Sequence, residues 1–226
     1  MLLKQHLAKI LLQKYKINLW RFIMINKKVD PRVQRTQNLL RDALIELIDE
    51  KTYEKITIQD ITTRATVNRA TFYRHFLDKD ELLNQSIDKM LKELFGEASK
   101  FYSVSKNVDE LQKYVASHIF EHIARHKKFF QVMLIGKGIP NFIHYLKEFL
   151  FEFYDHAISE ANLVENELPV AKEMVVSYIS AAYIGVISWW LENDMLESPS
   201  SMAQQMIQIN TQGPIQLLKK YQKSEL

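Results

Sequence analysis

Apolar residues recur along this 226-residue chain at spacings of three and four, the period of helices that bury one face. From Pro31 to Lys51, Val33, Leu39, Leu40, Ala43, Leu44, Leu47 and Ile48 form one stripe. Pro31 suits the first turn, where its missing amide would be unpaired anyway. A second, shorter stripe of Ile58, Ile61 and Ala65 breaks at Thr66-Val67, and Thr57 with Asp60 reads as its capping box. Asn68 can cap a third helix, Arg69–Phe76. A fourth is expected from Asp78 to about Phe101, with Leu82, Leu83, Ile87, Met90, Leu91, Leu94 and Phe95 on its buried side.

The remaining pattern predicts helices over Val108–Arg125, Lys127–Ile135, Ile139–Ala161, Pro169–Asn193 and Pro199–Tyr221. Gly213-Pro214 should kink the last of them. Met174–Leu191 is apolar nearly all round, relieved only by Ser177, Tyr178, Ser180, Tyr183 and Ser188, so it should be buried on several sides. Its small residues Ser177, Ala181, Ala182 and Gly185 permit close helix approach. With Met202, Met206, Ile209, Ile215 and Leu218 of the last helix, it could supply half of a symmetric four-helix interface. The expected fold class is therefore all-α: a three-helix, helix-turn-helix module over 31–80 and a helical bundle over 81–226, behind an extension over 1–30.

Composition narrows the function classes. The chain is 47% hydrophobic with no cysteine, which excludes a disulfide framework and thiolate metal sites. No stretch approaches the roughly 18 consecutive apolar residues of a membrane span. Net charge is +3, but residues 1–30 hold seven Lys/Arg against Asp30, a net of +6, so the remainder is −3. Residues 31–80 carry only +1. Any attraction to a polyanion must be local, through Arg64, Arg69, Arg74 and Lys79. Lysines interrupt the apolar residues of 1–30, so no secretory signal is expected there, and Met24 reads as the natural start. Lys27, Lys28 and Arg32 could track neighbouring phosphates. A cytoplasmic protein without membrane contact fits best.

The third helix is short and basic. Arg69, Thr71, Tyr73, Arg74 and His75 offer five donors with no acid among them, a composition suited to phosphates, while Phe72 and Phe76 belong to the core. The alternative reading makes His75 a half-buried packing residue and Tyr73 an aromatic plug. Thr71-Phe72-Tyr73-Arg74-His75-Phe76, followed by Lys79-Asp80-Glu81-Leu82-Leu83, resembles the signature of the TetR family of one-component bacterial transcription regulators. The likeness runs from about Arg32 to Leu91. Ser188-Trp189-Trp190-Leu191-Glu192-Asn193 also resembles the carboxy-terminal domain of one subset of that family. Thr66 stands where the family usually has Gly, and a β-branched residue resists the left-handed backbone such a turn needs.

The resemblance implies a homodimer that dimerises through its carboxy-terminal helices and inserts two recognition helices into a double-stranded DNA operator. It implies that Gln59, Arg69, Ala70 and Thr71 read base edges, that Asn68, Tyr73, His75 and Lys79 hold phosphates, and that Arg74 does either. Arg69 is the expected specific reader, since a guanidinium pairs bidentately with guanine. The fourth helix would be the lever between the two modules. Repression, relieved by a small molecule, is the family's usual mode.

A hydrophobic effector would suit Phe129, Met133, Phe142, Tyr145 and Tyr178, although helical spacing predicts ordinary core for the same residues. His118, His122 and His126 share one helix face at i, i+4 and i+8. With no cysteine and Glu121 as the near carboxylate, no metal or other cofactor is assigned to them. No phosphate loop, His-Glu-x-x-His or nucleophile elbow occurs, so the chain is not read as an enzyme. The rival reading is an adaptor that keeps the fold, does not bind DNA and acts through protein partners. The low charge over 31–80 keeps that reading open.

Overall fold

The computed structural model describes residues 30–102, 108–136, 142–160 and 169–222, which form ten helices and one 3₁₀ turn, with no strand among the described residues. The basic extension over 1–29 and the loop over 162–168 lie outside them.

Helix α1 (Pro31–Glu50) begins at Asp30, whose carboxylate accepts from the Arg32 amide at 2.8 Å. Leu40, Ala43, Leu44, Leu47 and Ile48 of its stripe are buried, whereas Leu39 is exposed. After the 3₁₀ turn Tyr53–Lys55, helix α2 (Ile58–Arg64) opens on the expected capping box. Thr57 Oγ1 accepts from the Asp60 amide at 3.1 Å and Asp60 Oδ2 accepts from the Thr57 amide at 2.8 Å. Lys51 Nζ donates to the same carboxylate oxygen at 2.8 Å. That bond, with those donated by the Thr57 amide and by its hydroxyl at 2.8 Å, holds the Asp60 carboxyl well below the usual carboxylate range.

Thr66 adopts the left-handed backbone, φ 55°, despite its β-branch. The turn is kept because the amides of Thr66 and Val67 donate to the carbonyls of Thr63 and Thr62 at 3.2 and 2.9 Å, a Schellman closure of α2. The unfavourable conformation costs on the order of 1–2 kcal/mol, and two otherwise orphaned carbonyls are satisfied in return. Helix α3 (Arg69–His75) follows, capped by Asn68 Oδ1, which accepts from the Thr71 amide at 2.7 Å. Asp78 caps the next helix, α4 (Lys79–Tyr102), accepting from the Glu81 amide at 2.7 Å.

The body comprises α5 (Val108–Arg125), α6 (Lys127–Leu134), α7 (Phe142–Glu160), α8 (Lys172–Glu192), α9 (Pro199–Gln212) and α10 (Pro214–Gln222). Helix α9 lies along α5, α8 packs on α7 and α6, and α4 touches α1, α5 and α7. Helix α4 is thus the shared element of module and body, the place expected of a lever. Helix α1 also meets α6, where Lys128 and Asp49 form an ion pair. In the body core Phe120 meets Trp190 edge-on at 5.4 Å and Tyr183 at 6.3 Å, and the Trp190 indole donates to the Glu197 carbonyl at 2.9 Å. Fully buried side chains of this size each contribute about 1.5–3 kcal/mol.

Two expectations are corrected. Gly213, at φ 76°, ends α9 outright instead of kinking one helix, because Pro214 has no amide to continue the ladder. Helix α8 is not covered on several sides: Val176, Ser180, Tyr183, Ile187, Trp190 and Leu191 are buried, but Met174, Tyr178 and Trp189 are 61%, 54% and 51% exposed. Ala181 and Gly185 lie on the same open stripe. By length and composition α8 is also long and apolar enough to cross a membrane, although no continuous apolar run predicted that. Its inner face is part of the body core.

Candidate nucleic-acid interface

Helix α3 is anchored by one residue. Phe72 is completely buried and packs edge-on against Tyr73 at 5.6 Å and tilted against Phe76 at 5.8 Å, so the remaining side chains turn outward. Arg69, Ala70, Tyr73 and Arg74 are exposed, with Thr71 and His75 half-buried beside them. Arg69 rests on Tyr73, its guanidinium 5.6 Å from the ring centroid and donating to the phenol oxygen at 3.2 Å. Arg74 donates to Thr71 Oγ1 at 3.3 Å. Among the described residues neither arginine joins an ion pair, so both charges remain available to an anion. Gln59 is exposed on α2 and bonded only loosely to Thr63, at 3.1 Å.

The structure thereby brings Gln59, Asn68, Arg69, Ala70, Thr71, Tyr73 and Arg74 to α3 and its approach from α2. Asn68 gives its carbonyl oxygen to the cap and leaves its amide nitrogen free to donate. His75 is placed between its two readings: half-buried and in tilted contact with Phe76 at 6.3 Å.

Two cations go elsewhere. Arg64 forms a fork with Glu50, at 2.9 and 2.8 Å, and a further bond to Glu46 at 3.1 Å. Those carboxylates, one turn apart on α1, neutralise it; the hydrogen bond from Arg64 draws the Glu50 carboxyl down. Lys79 gives its three donors to the carbonyls of Tyr53, Glu54 and Ile56 at 2.9, 3.3 and 2.9 Å and stands 4.5 Å over the Tyr53 ring. An ammonium has only three donors, and here all three clamp the 3₁₀ turn. Tyr53 donates in turn to Asp80, and burial with that bond pushes its phenol far above the usual range. Sequence spacing could not reveal either arrangement, since the partners lie 14 to 26 positions away.

The expected effector residues divide. Phe129, Met133 and Phe142 are buried, the two rings edge-on at 5.8 Å, and Tyr145 is half-buried. Tyr178 lies on the open stripe of α8, separate from them. A cleft of about 410 Å³ opens between α1, α4 and the α5–α6 corner, lined among others by Arg41, Met90, Arg125, His126 and Phe129. Its lining mixes charged and apolar side chains, and of the expected effector residues it includes Phe129 alone.

Comparison with known proteins agrees with this geometry. Residues 40–85 match the family described as bacterial regulatory proteins, tetR family, and residues 113–212 match a transcriptional regulator C-terminal region. An uncharacterized HTH-type transcriptional regulator of Bacillus subtilis is 28% identical over 184 residues, 80% of this chain and 46% of that protein. The negative transcriptional regulator IcaR of the Staphylococcus epidermidis biofilm operon icaADBC is 24% identical over 119 residues, 52% of this chain and 64% of its own length. The chain thus spans about half to two-thirds of these curated relatives. The fold is shared with Bacillus subtilis FadR, solved with stearoyl-CoA: TM-score 0.62 at 16% identity, over 78% of this chain and 98% of that one.

Proposed function

The chain belongs to the TetR family and is a transcriptional regulator of that family, and from this we propose that it binds a pseudo-palindromic operator as a homodimer and represses transcription. The observation that carries the reading is the outer face of α3, where Arg69 and Arg74 stand free of acids beside Thr71 and Tyr73. Arg69 reads a guanine, and Arg74, Tyr73, Asn68 and His75 hold the backbone. In the dimer the open stripes of α8 meet across a two-fold axis; Ala181 and Gly185 let the helices approach, and a Cβ added to Gly185 meets nothing in one chain. Two recognition helices then sit about 34–36 Å apart, one turn of duplex. IcaR, named as a negative regulator, supports repression; the activator DhaS of Lactococcus lactis, 29% identical over 80 residues, makes activation the alternative outcome of a reporter assay.

The proposal extends to release by an apolar small molecule entering among Phe129, Met133, Phe142 and Tyr145. Helix α7, which carries two of these, packs on α4, so an effector that binds one tilt of α4 better than another shifts the population of DNA-competent dimers. The fold neighbour solved with stearoyl-CoA makes acyl chains the first compounds to screen.

The test is selection of binding sites from a random duplex pool, followed by salt titration on the winner. An enriched inverted repeat with a steep decline of affinity with salt is expected, log affinity falling by about 0.9 per phosphate contact for each unit of log salt. The adaptor reading gains from Arg64 and Lys79, whose charges are already engaged. Absence of any enriched sequence would establish it over DNA binding.

A further inference from the structure

Glu93 of α4 projects onto the corner between α5 and α6, where it meets His122 and His126. One ligand atom from each of the three lies within 4.8 Å of the other two. His126 Nε2 is 3.9 Å from a Glu93 carboxylate oxygen, and the two imidazole centroids are 4.6 Å apart. His122 is 2% exposed, yet its Nε2 has no hydrogen-bond partner. The ring's other nitrogen is engaged by the backbone of Met90, on the same helix as Glu93. A histidine that donates through Nδ1 to a carbonyl holds its Nε2 lone pair toward whatever lies opposite, the orienting arrangement typical of metal-bound imidazoles. A buried polar atom without a partner is costly, and a ligand would remove that cost.

We propose that Glu93, His122 and His126 form a site for a divalent transition metal of the zinc class, which ties α4 to the α5–α6 corner. Two imidazoles and one carboxylate suit zinc, cobalt or nickel, and are too nitrogen-rich for magnesium or calcium. Around a tetrahedral zinc with bonds of about 2.0–2.2 Å the donors stand roughly 3.3–3.6 Å apart. The present spacing therefore closes by about 1 Å, within reach of side-chain rotation at Glu93 and His126. Those two are partly exposed and give the ion a path in, while His122 forms the inner wall. A fourth position stays open to water. Lys89, Arg41 and Arg125 lie near enough to oppose a cation, which further disfavours metals held by charge alone. Sequence spacing points to Glu121 as the carboxylate, since it neighbours His122; the fold supplies Glu93 instead.

The test uses the full chain, stripped with a chelator and titrated with Zn²⁺ by calorimetry and with Co²⁺ by visible absorption, with thermal melting alongside and no DNA present. One ion per chain, cobalt bands of low-symmetry four- or five-coordination, and a rise in Tm reversed by chelator are expected. Glu93→Gln and His126→Gln, both at partly exposed positions, should keep the metal-free Tm, lose the metal-dependent rise and weaken affinity at least tenfold. Glu121→Gln should behave as the wild type. A folded wild type whose Tm ignores zinc, or a Glu93→Gln variant that binds as tightly as the wild type, overturns the site. Failure of operator binding would leave these readouts untouched, so the two proposals fall separately.

Discussion

Helices α3 and α8 each bury one face and leave the other uncovered, but what they leave uncovered differs in kind. Helix α3 presents two guanidiniums, a phenol and a threonine hydroxyl around one buried anchor, Phe72. Helix α8 presents methionine, tyrosine and tryptophan side chains with Ala181 and Gly185 between them. A partner for the first must be anionic and is screened by salt; a partner for the second must be apolar and is not. In the proposed dimer on its operator these are two associations that ionic strength separates.

A charge in the middle of the apolar stripe should break that contrast most severely. Ala181→Glu would bury an uncompensated carboxylate in the dimer, costing on the order of 3–5 kcal/mol. Sedimentation should show monomers at micromolar concentration, with operator affinity falling as well; a variant that remains dimeric would remove α8 from the interface. Next comes Arg69→Ala, for which a loss of roughly 1–3 kcal/mol confined to one base position is expected. Binding measured on operators altered at each position checks it, and an even loss across all sequences would make Arg69 a phosphate contact.

Arg64→Gln sharpens the distinction among the cations. Because Arg64 is held by Glu46 and Glu50, the salt slope of operator binding should stay the same while Tm drops slightly. A shallower slope would mean that Arg64 leaves its acids for DNA. The smallest effect concerns Asp60, whose folded carboxyl titrates below its ordinary value of 3.8. Its contribution is present above that value and lost as pH falls through the depressed one. In acid unfolding, as pH falls below about 4 the wild type should therefore lose more stability than Asp60→Asn, the gap narrowing until the depressed carboxyl is itself protonated.

Much of the fold was legible because local rules agree with each other. The capping box at Thr57 and Asp60, the Asn68 cap and the buried pair Phe72 and Phe76 stand as the pattern predicts. The outward turn of Arg69, Tyr73 and Arg74 follows from that pair, since a helix that buries one face presents the other. The illegible parts share a cause. Lys79 and Arg64 look like free cations in a sequence, and only long-range packing sets three carbonyls or two carboxylates beside them. The Met202 and Met206 pair, expected at a dimer seam, instead faces the body core, where α9 packs along α5.

By itself the sequence determined which segments are helical, where most of them start and which face of each is apolar, because caps, periodicity and proline act within a few residues of one another. Tertiary structure alone decided which charges remain free, that one face of α8 stays open, and that Glu93 meets His122 and His126. Those outcomes depend on distances between residues tens of positions apart. No local rule carries that information; the packing of α4 against α1, α5 and α7 does.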